Sequence, residues 1–130
     1  MTSSFGVAPS SANACFKEHA MKQISVDQLK DRFNQERDCV KLLTIFSPTC
    51  LLCQYGQGVI AELYEKIGAD ADTPALEGFS IWQPVMDGDN LAAAKTQAEG
   101  FPHGSTEHIW DGETVFGNLF AKTLNLKGVA

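Results

Sequence analysis

A chain of 130 residues has room for one hydrophobic core and not for two. With 44% hydrophobic and 20% charged residues it sits among ordinary globular sequences, which excludes a disordered chain or a coiled coil. Ten basic against 16 acidic residues leave a net charge of −6 with no cluster of Lys or Arg, so nucleic acid is not an expected partner; no apolar run of about 18 residues is present, so no membrane span is expected either.

Residues 1–20 are rich in Ser and Ala and lack the uninterrupted apolar segment of a signal peptide. They read as a flexible arm ahead of a domain spanning 21–130, and the location expected is cytoplasmic. That compartment keeps ordinary thiols reduced, so four cysteines point away from a disulfide framework and a close pair points to redox or metal chemistry.

The first element is a helix over residues 26–36, with Ser25 as its cap and Val26, Leu29 and Phe33 spaced along one apolar face. "CVKLLTIF", residues 39–46, is almost wholly apolar with β-branched members, the composition of a strand buried on both faces of a parallel sheet. Pro48 cannot donate to a ladder and ends it, and Thr49 can cap the helix that follows. In that helix Leu52, Gly56, Val59, Leu63 and Ile67 recur at three- and four-residue steps, which predicts the core-facing stripe, and Gly68 supplies a stop.

Residues 70–78 read as a polar loop and 79–86 as a second strand, which Pro84 would confine to a sheet edge or to partial pairing. A short helix over 91–99 follows, capped from within 87–90 and closed by Gly100. Asp111-Gly112 between two short apolar segments predicts a tight hairpin, and residues 118–128 a last helix. Strands alternating with helices call for an α/β architecture with crossover connections.

Chemistry concentrates where the first strand gives way to a helix, at Cys50 and Cys53. A thiolate is the reactive form of cysteine, and a free thiol is only a few per cent ionised at neutral pH. At a helix start Cys50 would face unbonded backbone N–H groups and the positive end of the helix dipole, both of which favour the anion. Positions three apart in the first turn also let the two sulfurs meet. Metal binding is the competing chemistry, with His103 and His108 as further zinc or copper ligands, although the spacing matches no standard finger. Cys39 is expected to be a small apolar residue at a strand start, Cys15 a surface thiol, and Trp82 and Trp110 packing residues at strand ends. Asp and Glu residues are expected on solvated faces.

Taken together, the strand 40–46, the C-x-x-C opening a helix, the βα unit after it, Pro102 and the hairpin-then-helix ending resemble the thioredoxin superfamily over about residues 24–128. The "WQP" and "WDGE" segments are also similar to bacterial thioredoxin-like proteins. The resemblance implies a thioredoxin-like fold, a central mixed β-sheet flanked by helices on both faces. It further implies a thiol–disulfide oxidoreductase in which Cys50 attacks and Cys53 resolves, with protein disulfides as partners and neither cofactor nor metal. Leu51, Leu52 and Tyr55 would form an apolar lip for an extended client, and Pro102 is the residue available for the superfamily's cis-proline. Against the family pattern, Leu51-Leu52 between the cysteines carries no charge or donor, Thr49 stands in place of Trp and Thr44 in place of a buried Asp, so a thiol pKa near the upper end of the family's range is expected. The alternative is a non-catalytic thioredoxin-fold binding module that holds a metal through the same cysteines. The chain is expected to be a monomer or a weak homodimer, the latter through an unpaired sheet edge.

Overall fold

The computed structural model describes residues 20–35, 39–69, 75–101 and 106–126. Helix α1 (Val26–Phe33) begins at Ser25, whose side chain accepts from the Gln28 N–H while the Gln28 side chain accepts from the Ser25 N–H, a complete capping box. Strand β1 (Cys39–Phe46) follows, then helix α2 (Leu51–Ala69) and strand β2 (Ala75–Trp82). Helix α3 (Leu91–Glu99) starts at Asn90, whose side chain accepts from the Ala93 N–H at 2.8 Å. Strand β3 (Thr106–Trp110) and helix α4 (Val115–Thr123) complete the described chain.

The three strands form one parallel sheet in the order β1-β2-β3, with Cys39 opposite Ala75 and Gly78 opposite Thr106. Lys22 extends it as a single parallel bridge beside Ile109 on the outer side of β3. Strand alternation sends two sets of side chains to opposite faces. Leu43, Ile45, Phe79, Ile81 and Ile109 face α1 and α4, where they pack with Leu29, Phe33, Phe116 and Phe120. Phe46 and Trp82 face the other way, toward Cys53 and Ile60 of α2 and Ala94 of α3. Helices thus cover both faces, as expected, and the two crossover helices lie on the same one. No helix among the described residues is long and apolar enough to cross a membrane.

Several expectations are corrected. The described strands are all parallel, so the mixed sheet is not what they build. No hairpin follows Asp111-Gly112, because Asp111 caps a helix: its two carboxylate oxygens accept from the N–H groups of Val115 and Phe116 at 2.9 and 2.8 Å. Thr114, at φ 53° in the left-handed region, turns the chain into that helix. Strand β2 starts four positions earlier than its composition suggests and ends at Trp82. Pro84 therefore lies beyond the ladder, and β2 is the central strand, not an edge.

Helix α2 buries a different face from the one its apolar spacing predicts. Cys53, Gln57 and Ile60 turn inward, whereas Leu52, Val59 and Leu63 are exposed. Gly56, on the inward side, faces the Phe46 ring, where a Cβ would stand at an ordinary contact distance of 3.8 Å. Cys39 is disulfide-bonded and is not the free apolar thiol expected at a strand start. Most described acids are exposed, as expected, but Glu77, Glu107 and Asp111 are buried; Glu107 sits on the α1 face, pairs with Lys22 at 3.1 Å and also accepts from Arg32.

Candidate active site

Residues 47–50 form the link between β1 and α2 and decide where the thiols stand. Pro48 is fully buried and stops the ladder at Phe46. The Cys50 N–H donates to the Ser47 carbonyl at 3.3 Å, and the Cys50 carbonyl accepts from the Gln54 N–H at 3.0 Å as the first bond of the helix. Cys50 is therefore the capping position, with the N–H groups of the first turn ahead of its sulfur. Cys53 lies one turn on, packed against the cluster of Phe46 and Trp82. Both thiols are free, both are half-buried, and they come within 3.6 Å of each other.

Their environments split their acidities. The Cys53 N–H donating to the Cys50 sulfur is the main cause that holds the Cys50 thiol below its ordinary value. The Cys53 side chain and the Leu52 N–H act in the same direction, while desolvation and the Asp89 carboxylate oppose them. Burial pushes the Cys53 thiol up, and the charges of Cys50 and Asp89 add to that; the Ser47 N–H, 3.5 Å from the Cys53 sulfur, offsets only part of it. Two half-buried thiols, the first lowered in pKa and the second raised, are the arrangement that an attacking and a resolving cysteine require.

The sequence reading missed Asp89. From the β2–α3 loop its carboxylate reaches across to the β1–α2 loop and accepts five hydrogen bonds. Oδ1 takes the N–H of Thr49 at 2.9 Å and its hydroxyl at 2.6 Å; Oδ2 takes the Ser47 hydroxyl and the N–H groups of Val85 and Met86 at 2.8 and 2.9 Å. Partial burial favours the neutral acid, but the donors from Met86, Ser47, Thr49 and Val85 outweigh it and hold the carboxyl well below the usual carboxylate range. Asp89 thus ties together the two loops at the C-terminal end of the sheet, directly before Cys50. The local signal available was an Asp in a turn ahead of a helix, which reads equally well as a cap; Asn90 holds that role instead.

Leu51, Leu52 and Tyr55 are 79%, 81% and 75% exposed, so they present apolar surface on the helix that carries Cys53. Val85 and Met86, also exposed, extend it from the opposite loop. Pro102 and His103 lie outside the described residues, and so does Cys15. His108 is a fully buried strand residue whose Nδ1 accepts from the Trp82 indole N–H at 3.1 Å, which leaves the ring proton on Nε2. It is neither a surface histidine nor a ligand beside the cysteines. Among the described residues no group of three or more His, Cys, Asp or Glu side chains is placed to hold a metal ion. Thr44 donates across the strand to Ser80 at 3.3 Å and takes no part in the thiol site.

Compared with protein-family models, with curated proteins and with solved structures, the chain gives no match.

Proposed function

We propose that this chain is a thiol–disulfide oxidoreductase that acts on protein disulfides through Cys50 and Cys53, in the manner of a thioredoxin-like protein. The support is the unequal pair of free thiols 3.6 Å apart at the start of α2, one lowered in pKa by backbone N–H groups and the other raised by burial. The parallel order of the described strands is not part of that support.

In the proposed cycle the Cys50 thiolate attacks one sulfur of a client disulfide, forming a Cys50–client bond and releasing the other client sulfur as a thiolate, which takes up a proton. Cys53 then loses its proton and attacks the Cys50 sulfur. The mixed disulfide breaks, the second client thiol leaves, and a Cys50–Cys53 bond remains. Two electrons have passed from the protein to the client, and an external dithiol restores the reduced pair. Leu51, Leu52 and Tyr55 offer the client apolar contact on the exposed side of the helix.

Insulin reduction driven by dithiothreitol tests the proposal, with Cys50→Ser as control. Acceleration over dithiothreitol alone that disappears in the control supports it. Equal rates in the two proteins refute it and favour the non-catalytic binding module.

A further inference from the structure

Cys39 is disulfide-bonded, and Cys50 and Cys53, both free thiols, are not its partners. The chain holds four cysteines, so one candidate is left. We infer that Cys39 is joined to Cys15 in a structural disulfide, separate from the redox pair, and that the protein accordingly works in an oxidising compartment. The inference does not rest on the dithiol reading of Cys50 and Cys53.

The topology lets this bond close. Lys22 lies beside Ile109, which is opposite Ile81, which is opposite Ile45. Lys22 therefore stands level with Ile45 and three strand spacings from it, about 14 Å. Cys39 is six positions back along β1 from Ile45, about 20 Å, so the diagonal from Lys22 to Cys39 is about 25 Å. The seven residue steps from Cys15 to Lys22 span up to about 25 Å, and a disulfide adds about 4.4–6.8 Å between its Cα atoms. Direction agrees as well. Lys22 and all three strands are parallel, so the chain enters Lys22 from the end of the sheet where Cys39 stands.

The ring so closed, residues 15–39, contains the contacts that fasten this part of the chain to the sheet. Lys22 pairs with the outer side of β3, α1 packs through Leu29 and Phe33, and Lys22 and Arg32 both reach Glu107. A covalent tie at Cys39, on the opposite edge strand of those described, leaves the unfolded chain fewer conformations, and a ring of about 25 residues makes that effect large. The bridge is not a second redox centre. Cys39 opens a strand and not a helix, so no row of unbonded N–H groups favours its thiolate. It stands at the opposite end of β1 from the thiol loop, about 23 Å from Phe46, out of reach of Cys50 and Cys53.

The cytosol keeps ordinary thiols reduced, whereas structural disulfides form and persist in secreted and periplasmic spaces. The oxidant is a small-molecule or protein disulfide. One cysteine thiolate attacks it and releases a donor thiol; the second cysteine thiolate then displaces the other. Two electrons and two protons pass to the donor, which ends as two thiols, and the Cys15–Cys39 bond remains. An oxidising compartment thus replaces the cytoplasmic location expected from the first 20 residues.

The test compares the full chain exported to a bacterial periplasm with the same chain kept in the cytoplasm. Free thiols are blocked at lysis, and the protein is digested without reductant and read by mass spectrometry. The exported chain should give one peptide pair joined through Cys15 and Cys39; the cytoplasmic chain should give both blocked. In exported protein Cys15→Ser and Cys39→Ser should each lower the melting temperature by roughly 10 °C, and the double variant should fall no further, because both remove one bond. Dithiothreitol should abolish the difference between parent and variants. Blocked Cys15 and Cys39 in exported protein, Cys39 linked to any other cysteine or to a second chain, or losses that add in the double variant overturn the bridge. A bridge formed equally in the cytoplasm overturns the compartment.

Discussion

Asp89→Asn isolates the clamp that sets the thiol loop. Asparagine keeps the shape but turns one carboxylate oxygen into an NH₂ group. In one orientation that group points at the Ser47 hydroxyl and the N–H groups of Val85 and Met86; flipped, it points at the N–H and the hydroxyl of Thr49. Either way two or more donors lose their acceptor. Val85 and Met86 are exposed and can turn to water, but Ser47 is buried and Thr49 half-buried. An unsatisfied buried donor costs about 1–3 kcal/mol, so the expected loss is roughly 2–4 kcal/mol after allowance for exposure at the loop surface. For a chain of this length that lowers the melting temperature by roughly 7–15 °C. The pH dependence has a definite sign. The folded-state pKa of Asp89 is depressed, so its stabilisation is fully present above the ordinary carboxylate pKa, about 3.9, and is lost as pH falls toward the folded value. Thermal denaturation of parent and variant between pH 7 and pH 3 should show a gap that is constant down to about pH 5 and narrows below it. A variant that melts with the parent at pH 7, or a gap of the same size at pH 3, refutes the reasoning.

Three further outcomes follow from the geometry. Limited alkylation with iodoacetamide near neutral pH, read by peptide mass spectrometry, should modify Cys50 well before Cys53, because the first thiol is lowered and the second raised; the reverse order would contradict the site. Gly78→Ala places a Cβ 1.7 Å from the Tyr64 hydroxyl oxygen, so it should cost about 1–3 kcal/mol in urea unfolding, and Tyr64→Phe in the same chain should make the combined loss smaller than the sum of the two. Asp111→Ala removes the acceptor for the first two N–H groups of α4 and should destabilise by about 1–2 kcal/mol by the same measurement, with Asp111→Asn milder.

What could be read from the chain depended on whether a local cause dominated. Helices α1 and α3 were legible through Ser25 and Asn90, whose side chains cap them as their type dictates. Strand β1 was legible as a strand from its composition, but among the described strands it lies at the sheet's edge and is mostly half-buried, not buried on both faces as that composition suggests. The helix start at the cysteines followed from Pro48 and from the spacing of the pair. The rest turned on contacts made at long range. Strand β2 begins inside what looked like a loop, since Glu77 and Gly78 belong to loops by type and only the sheet buries them. Asp111-Gly112 is the same dipeptide whether it closes a hairpin or caps a helix, and the carboxylate's choice of partners decides. In α2 two faces compete; the sheet took the one containing Cys53, Gln57 and Ile60, which hydrophobicity alone ranks lower. Asp89 acts on residues 40 and 42 positions away, a separation at which no sequence spacing is informative.

The two sulfurs share a helix and a carboxylate neighbour, yet they shift in opposite directions. Asp89 fixes the loop but raises both thiols, so its charge works against ionisation of the thiol that its geometry positions. At Cys50 the N–H groups of the first turn outweigh that charge, whereas at Cys53, packed against Phe46 and Trp82, desolvation leads and nothing outweighs it. Part of what holds Cys53 protonated is Cys50 itself, through the hydrogen bond between the sulfurs and through the Cys50 charge. A covalent bond from Cys50 to a client removes that charge and ends its demand for a hydrogen bond. The barrier to ionising Cys53 then falls at the step where its thiolate is needed, so in the proposed cycle formation of the mixed disulfide itself arms the resolving sulfur.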